Sequence, residues 1–263
     1  MALLKGLKLT LRSMGPKYVA KEIIRRIAGI PYTSDGILIK DDTTFRLIRN
    51  LASKGSVWRQ GDLVFFRGKL GIFVVPYKDI QLLYPLVREN FEEVYGYLDV
   101  RGKVVSDIGT YLGETAVLFA RMGARHIHAY EPVFYRLLEH NLRLNNVTNA
   151  TVHPYGVWIE EDVYGVNLHG TASGVRIGDF KIKTKPIGDA IVDVVKMDCE
   201  GCEWALLTLT CQEIRKAEEY VIEIHGPEPP LVRKMEKCGF RAELIGRSNH
   251  ILIYLSIWHF KRL

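Results

Sequence analysis

The sequence has few cysteines and no long hydrophobic run. Its 263 residues contain four cysteines, all in the last quarter of the chain, and charges interrupt the N-terminal stretch MALLKGLKLTLRSMG. A membrane-spanning helix needs about 20 apolar residues, and a secretory signal needs an apolar core, so neither is predicted. We therefore expect a cytoplasmic protein with reduced thiols.

Two common binding motifs are also missing. The chain has one C-x-x-C, at Cys199 and Cys202, but no second pair of cysteines or histidines that would complete a four-ligand zinc site. It has no G-x-G-x-x-G, the loop that seats the pyrophosphate of a dinucleotide on a helix N-terminus. Zinc binding, a redox dithiol and dinucleotide binding are therefore disfavoured.

Negative charge is scarce at the N-terminus. Residues 1–28 carry seven Lys or Arg and a single acid, so their balance of +6 equals the formal net charge of the whole chain. Apolar residues recur at helical spacing on both sides of Gly15 and Pro16, which predicts two basic amphipathic helices. We expect their apolar stripe, including Ile23, Ile24 and Ile27, to pack on the main domain. Alternatively, the arm could contact an anionic membrane or nucleic acid.

The alternation of strands and helices begins after the first third of the chain. We assign residues 1–95 to an N-terminal extension with basic helices, a further capped helix and a β-hairpin. Residues 96–263 alternate strands with helices, which predicts an α/β domain whose last strand is antiparallel. Residues 159–190 are rich in glycine and predict a hairpin-like insertion, either one wall of the substrate pocket or a solvated loop.

The first strand of this domain ends in DIGTYLG, residues 107–113. Ligands of open α/β sheets bind at the carboxyl ends of strands, and the next strand ends in Glu131, an acid suited to ribose hydroxyls. Asp107 and Glu114 would repel a pyrophosphate, but they suit the sulfonium and ammonium of S-adenosylmethionine. A domain that binds no nucleotide is the alternative. The predicted cofactor contacts are Asp107, Gly109, Thr110, Tyr111, Gly113, Glu131, Pro132 and Gly156.

Three segments, VVSDIGTYLGET, AYEP and VVKMDCEGCEW, resemble in this order the motifs of the FkbM-type methyltransferase family. The resemblance covers roughly residues 85–260. It implies a Rossmann-like class I methyltransferase sheet of seven strands and S-adenosylmethionine-dependent O-methylation of sugars, polyketides or other natural products. Two features depart from the family pattern. Thr110 and Tyr111 replace part of the usual G-A-N, and cysteines fill both variable positions of K-x-D-x-E-G-x-E.

Charged residues follow two buried strands of the predicted sheet. AIVDVV runs into Lys196, Asp198 and Glu200, and VIEIHG places Glu223 and His225 on one face. We predict that Lys196, Asp198, Glu200 and His225 are catalytic, because a hydroxyl needs a base during methyl transfer, and His225 or Asp198 could be that base. No metal is predicted, although Asp198, Glu200 and Glu223 offer the oxygens that Mg²⁺ prefers.

Other interpretations of these residues remain open. Lys196 could form a salt-bridged rim with Asp198 or Glu203, and His225 could be a hydrogen-bonded strand end. The expected acceptor is a hydroxyl of a sugar or other small molecule, including a lipid-linked one. The alternatives are an RNA ribose methyltransferase that uses the basic arm, and a non-catalytic module that binds S-adenosylmethionine. Methylation of base amines is disfavoured, because the loop after AIVDVVKM is charged and lacks proline.

Overall fold

A computed structural model of the chain describes residues 2–166, 180–247 and 255–263. The chain divides into two compact units, Met1–Glu89 and Asn90–Leu263, and each has its own sheets. None of the helices in the described ranges is long and apolar enough to span a bilayer.

The first unit begins with two helices and continues with small antiparallel sheets and two further helices. Gly15, with a φ of 94°, separates the two predicted helices, and a three-stranded sheet forms where the sequence predicts two strands. The elements are α1 (Ala2–Ser13), α2 (Pro16–Ala28), β1 (Tyr32–Ser34), β2 (Ile37–Ile39), α3 (Asp42–Lys54), β3 (Gly55–Gln60), β4 (Leu63–Gly68), β5 (Gly71–Pro76) and α4 (Pro85–Arg88).

The apolar stripe of α2 is exposed, so the expectation that it is buried is wrong. Glu22 and Arg25 are buried instead, and Arg25 binds both Glu22 and Asp42 at the start of α3. These ion pairs hold the polar side of α2 against the rest of its unit. The exposed residues of the stripe are Ile23, Ile24 and Ile27.

The second unit is built on a seven-stranded sheet with the predicted fold class. The strands of the whole unit, which also has a smaller sheet, are β6 (Val104–Ile108), β7 (His126–Tyr130), β8 (Ala150–His153), β9 (Gly156–Trp158), β10 (Val163–Val166), β11 (Phe180–Pro186), β12 (Val194–Met197), β13 (Glu219–His225), β14 (Phe240–Arg247) and β15 (Leu255–Arg262). The main sheet has the order β14-β15-β13-β12-β6-β7-β8. β15 is antiparallel to both of its neighbours, as predicted, and β13, β12, β6, β7 and β8 pair in parallel.

The helices of this unit are α5 (Phe91–Tyr95), α6 (Glu114–Met122), α7 (Tyr135–Leu144), α8 (Cys211–Ile214) and α9 (Pro229–Lys237). The first of them, α5, precedes the main sheet, and the others lie between its strands. The sequence predicts one helix from Cys202 onward, but the structure has a 3-10 helix, Cys202–Thr208, followed by α8. The helix is interrupted because Thr210 caps the start of α8. The Thr210 hydroxyl accepts a hydrogen bond from the Glu213 amide, and the Glu213 carboxylate accepts one from the Thr210 amide.

The predicted insertion contains a hairpin. Strands β10 and β11 pair in antiparallel fashion, and β11 also pairs in parallel with β9 to complete a three-stranded sheet. Residues 167–179, which include the NLHGTASG segment, lie outside the described part of the chain. A role for the insertion as a pocket wall therefore stays a prediction.

All four cysteines form disulfides, so the expectation of reduced thiols is wrong. Cys199 pairs with Cys202, whereas Cys211 at the start of α8 pairs with Cys238 just after α9. The Cα atoms of the pairs lie 5.5 and 4.9 Å apart, within the range that a disulfide spans. Sequence spacing could not reveal the second pair, because only the packing of α9 brings Cys238 to α8.

We predict that Cys211–Cys238 contributes measurably to stability. It closes a loop between residues 27 apart, and restricting the unfolded chain over such a loop is worth about 2–4 kcal/mol. The free energy of unfolding, measured in urea, should fall by that amount in the double variant Cys211→Ala/Cys238→Ala. In the control Cys199→Ala/Cys202→Ala it should fall by about 2 kcal/mol or less, since that loop is short. Unfolding of the wild type that is identical with and without dithiothreitol would contradict the prediction.

Candidate active site

The loop after β6 packs against the loop after β12. Gly109 has a φ of 77°, and a Cβ atom at this position would lie 1.8 Å from the carbonyl oxygen of Asp198. The Asp198 amide in turn donates to the carbonyl of Ile108 at 3.0 Å. Glycine is therefore required here by the close approach of two backbones, whereas the sequence suggested the approach of a ligand. Gly113, with a φ of 103°, starts α6.

Glu131 lies at the carboxyl end of β7 and is almost completely buried. Its Oε1 accepts the amides of Val133 and Phe134 at 2.7 and 3.0 Å, and its Oε2 accepts the amide of Tyr111 at 3.1 Å. Burial raises the pKa of the carboxyl group, and these amides partly offset the effect. Two carboxylate oxygens offer about four acceptor positions, so three amides leave capacity for a hydroxyl. Glu131 therefore fixes the loop after β6 and can still bind a ligand.

Asp107 and Lys196 are partners in a buried ion pair. They are neighbours in register on β6 and β12, and Nζ of Lys196 lies 3.2 Å from Oδ1 of Asp107. Oδ2 of Asp107 accepts the Thr115 hydroxyl at 2.6 Å, and Nζ of Lys196 donates to the Gly109 carbonyl at 2.7 Å. Burial opposes the charge of Lys196, but Asp107 and Asp198 raise its pKa above the ordinary value. Both side chains are nearly inaccessible, which favours a structural role over the predicted cofactor and catalytic roles.

The remaining predicted cofactor residues lie in several settings. Thr110 is buried, and its hydroxyl donates to the Asp107 carbonyl at 2.6 Å. Tyr111 has a φ of 55° and packs edge-on against Phe134, with ring centroids 5.2 Å apart. Pro132 is half-buried beside Glu131. The structure places Gly156 at the start of β9, paired with Thr184 of β11, in the small sheet.

Four acidic side chains surround His225 at the end of β13. Glu203, which is fully buried, accepts the His225 amide at 2.8 Å and lies 3.3 Å from its Nδ1. The other ring nitrogen, Nε2, lies 3.4 Å from Glu200 and 3.9 Å from Glu223. The structure thus brings together the predicted catalytic residues Asp198, Glu200 and His225 but places Lys196 in the ion pair with Asp107.

The charge of this cluster favours a protonated imidazole. Burial lowers the pKa of His225, but the hydrogen bond and charge of Glu203, together with Glu200 and Asp198, raise it to about 9. The geometry resembles the carboxylate–histidine pairs of enzymes, in which a buried acid orients the ring through Nδ1. Nε2 is thereby fixed as the nitrogen that can exchange a proton with a substrate.

The same cluster contains a candidate cation site. Asp198, Glu223 and His225 each offer one ligand atom, and these atoms lie within 4.8 Å of one another. The sequence suggested Glu200 in place of His225 for this set. A metal-binding imidazole usually has a carboxylate behind its other nitrogen, as Glu203 is here. The donor set fits a divalent cation that prefers oxygen and nitrogen ligands.

Glu203 is not among the residues that the sequence predicts to be catalytic. Three donors converge on its carboxylate: the His225 amide, His225 Nδ1 and the Gly201 amide at 2.9 Å. One signal in the sequence could have identified Glu203. It is the last acid of K-x-D-x-E-G-x-E, and an acid buried in an otherwise apolar helix requires hydrogen-bonding partners.

A family model described as "Methyltransferase FkbM domain" matches residues 107–242. The match begins at Asp107 and includes the loops after β6, β7, β12 and β13. This chain belongs to the FkbM methyltransferase family. An FkbM methyltransferase takes its methyl group from S-adenosylmethionine, which supplies a positively charged sulfonium when bound.

Individual relatives are distant. An uncharacterized protein, 158B, of Sulfolobus islandicus rod-shaped virus 1 is 29% identical over 136 residues, 52% of this chain and 69% of that protein. The crystal structure of methyltransferase FkbM from Methylobacillus flagellatus KT has 16% identity and a TM-score of 0.48, and the match covers 83% of this chain and 59% of that one. M. jannaschii TYW2, solved in complex with AdoMet, has 13% identity and a TM-score of 0.45, with 78% and 89% covered.

The residues at the ends of β6 and β7 fit S-adenosylmethionine. Glu131 retains acceptor capacity for ribose hydroxyls at the strand end where an open α/β sheet binds its ligand. Asp107 is completely buried between Lys196 and Thr115, so its predicted contact with the sulfonium or ammonium stays a prediction. Glu131 is the acid whose role in cofactor recognition is tested most directly.

Replacing Glu131 should weaken cofactor binding. We expect the dissociation constant of S-adenosylhomocysteine, measured by calorimetry, to rise about 10- to 100-fold in Glu131→Ala, because hydrogen bonds to a charged group are lost. NAD should not bind the wild type. Glu139→Ala, which removes an exposed acid on α7, is the control and should bind normally. Unchanged affinity in a folded Glu131→Ala would refute this assignment.

Proposed function

We propose that this FkbM methyltransferase is an O-methyltransferase acting on a hydroxyl of a sugar or other small-molecule acceptor, including a lipid-linked one. The observation that carries the proposal is the base formed by His225 and Glu203 at the carboxyl edge of the sheet. A neutral amine attacks through its lone pair without first losing a proton, whereas a hydroxyl is a poor nucleophile until a base accepts its proton. A site that contains such a base is suited to a hydroxyl.

Each residue of the cluster has a role in this reaction. His225 would accept the proton of the acceptor hydroxyl at Nε2. S-adenosylmethionine, when bound, would supply the methyl group to that oxygen, and its S–CH₃ bond would break to leave S-adenosylhomocysteine. Glu203 holds the proton on Nδ1 and stabilises the imidazolium that results, because its buried carboxylate lies beside the ring. Glu200 lies 3.4 Å from Nε2 and Asp198 belongs to the same cluster, so both can orient the acceptor.

The conformation of the loop after β12 supports this arrangement. Glu200 has a φ of 57° and Gly201 a φ of 122°, so the chain turns sharply between Asp198 and Glu203. The disulfide between Cys199 and Cys202 closes the same turn. Left-handed backbone at a non-glycine residue is costly and is found preferentially at functional sites. The turn aims Glu200 at Nε2 of His225 and directs Glu203 behind the ring.

The rate of methyl transfer should depend on the protonation of His225. The pKa of His225 is about 9, so below that pH the neutral fraction of the base falls roughly tenfold for each pH unit. The value of kcat/KM should therefore rise from pH 6.5, reach half of its maximum near the pKa and level off above it. Release of S-adenosylhomocysteine, followed with a panel of sugars, phenols and amines as acceptors, provides the measurement.

Two variants test the origin of this profile. Glu200→Gln removes one charge that raises the pKa of His225, so the midpoint should move to lower pH. His225→Gln should lower kcat by about 10²- to 10⁴-fold and abolish the profile, whereas His140→Gln on α7 should change neither. Turnover with amines alone would overturn the proposal. Loss of turnover in EDTA, restored by Mg²⁺, would assign Asp198, Glu223 and His225 to a cation instead of the proton.

A further inference from the structure

The outer face of α2 carries a row of exposed isoleucines. Ile23, Ile24 and Ile27 are 42, 50 and 83% exposed, and Ile30, just after the helix, is 57% exposed. Their spacing places the three helical residues on one side of α2, together with the exposed Ala20. Single exposed apolar residues are ordinary, but a contiguous row marks an interaction surface.

The orientation of α2 is fixed by its buried polar side. Glu22 is 1% exposed and accepts Nη2 of Arg25 at 2.7 Å and Nε of Arg26 at 2.6 Å. Asp42, the first residue of α3, forms an ion pair with Arg25. The Tyr32 hydroxyl donates a hydrogen bond to Glu22 at 3.4 Å. Turning the isoleucines inward would expose or unpair these charges. The outward apolar face is therefore a stable feature of this helix and not a poorly packed one.

The charge around the isoleucine face has one sign. Glu22 is the single acid in residues 1–28, and it is engaged in the buried ion pairs. Lys17 and Lys21 lie beside the face, with their ammonium groups 4.9 and 5.4 Å from the centre of the Tyr18 ring. Lys8 and Arg12 on α1 are exposed as well. A partner that covers the isoleucines therefore meets positive charge at the border.

We propose that the isoleucine face of α2, with the basic residues around it, docks on the surface of an anionic lipid bilayer. A helix with an exposed apolar face and a basic polar side lies in the plane of a membrane interface, with its apolar side chains among the acyl chains. Anionic headgroups supply the opposite charge, and each nearby Lys or Arg adds attraction. Nucleic acid matches the charge but not the isoleucines, and a second copy would oppose positive charge with positive charge.

Vesicle co-sedimentation of the full-length chain tests this proposal. The wild type should bind vesicles of phosphatidylcholine mixed with phosphatidylglycerol, release them as salt rises, and bind pure phosphatidylcholine much less. Ile24→Gln/Ile27→Gln should weaken binding to the anionic vesicles about tenfold, because two inserted side chains are lost while every charge remains. Lys17→Gln/Lys21→Gln should also weaken binding, and it should reduce the salt dependence.

The matched control changes exposed apolar residues outside the face. Leu38 and Leu63 are 41 and 38% exposed in the same unit, and Leu38→Gln/Leu63→Gln should bind like the wild type. Thermal unfolding confirms that each variant is folded. Failure of the wild type to bind anionic vesicles at low salt would overturn the proposal, as would equal binding by Ile24→Gln/Ile27→Gln. RNA binding or a dimer that the isoleucine variant abolishes, without vesicle binding, would assign the face to that partner.

Discussion

The buried ion pair between Asp107 and Lys196 is the interaction on which the geometry of the site depends. It joins β6 and β12, the two central strands that lead into the loops of the candidate site. The ammonium of Lys196 also binds the carbonyl of Gly109, so the pair fixes the first residue of the loop after β6. Loss of one partner from such a pair costs about 3–5 kcal/mol, since the other charge stays buried. Both loops would then lose their common support.

Glu203 performs the equivalent task for the base. Its carboxylate accepts hydrogen bonds from the Gly201 amide in its own turn and from the backbone and ring nitrogens of His225 on β13. The hydrogen bond and charge of this carboxylate are the main influences that raise the pKa of His225. The backbone turn, the buried acid and the elevated pKa of His225 are therefore consequences of one local arrangement, and removing Glu203 would disturb all three.

The sequence predicted the fold well because alternating strands and helices permit few topologies. The antiparallel last strand followed from a connection too short for a crossover, and it pairs as expected. Residues adjacent along one element, such as Glu223 and His225, were also placed together correctly. Two pairs of partners from different elements were missed. The pairing of Lys196 with Asp107 depends on strand register, and that of Cys211 with Cys238 on helix packing, and neither is encoded in spacing.

The orientation of α2 shows why an amphipathic pattern is ambiguous in principle. Periodicity identifies an apolar side and a polar side, but it does not state which one meets the protein. The usual inference is that the apolar side is buried, because burial of each aliphatic side chain contributes about 1.5–3 kcal/mol. Here Glu22, Arg25 and Asp42 form a network that is satisfied only if the polar side faces inward. A single buried acid can thus decide the orientation of a helix and leave its apolar side available to a partner that lies outside the fold.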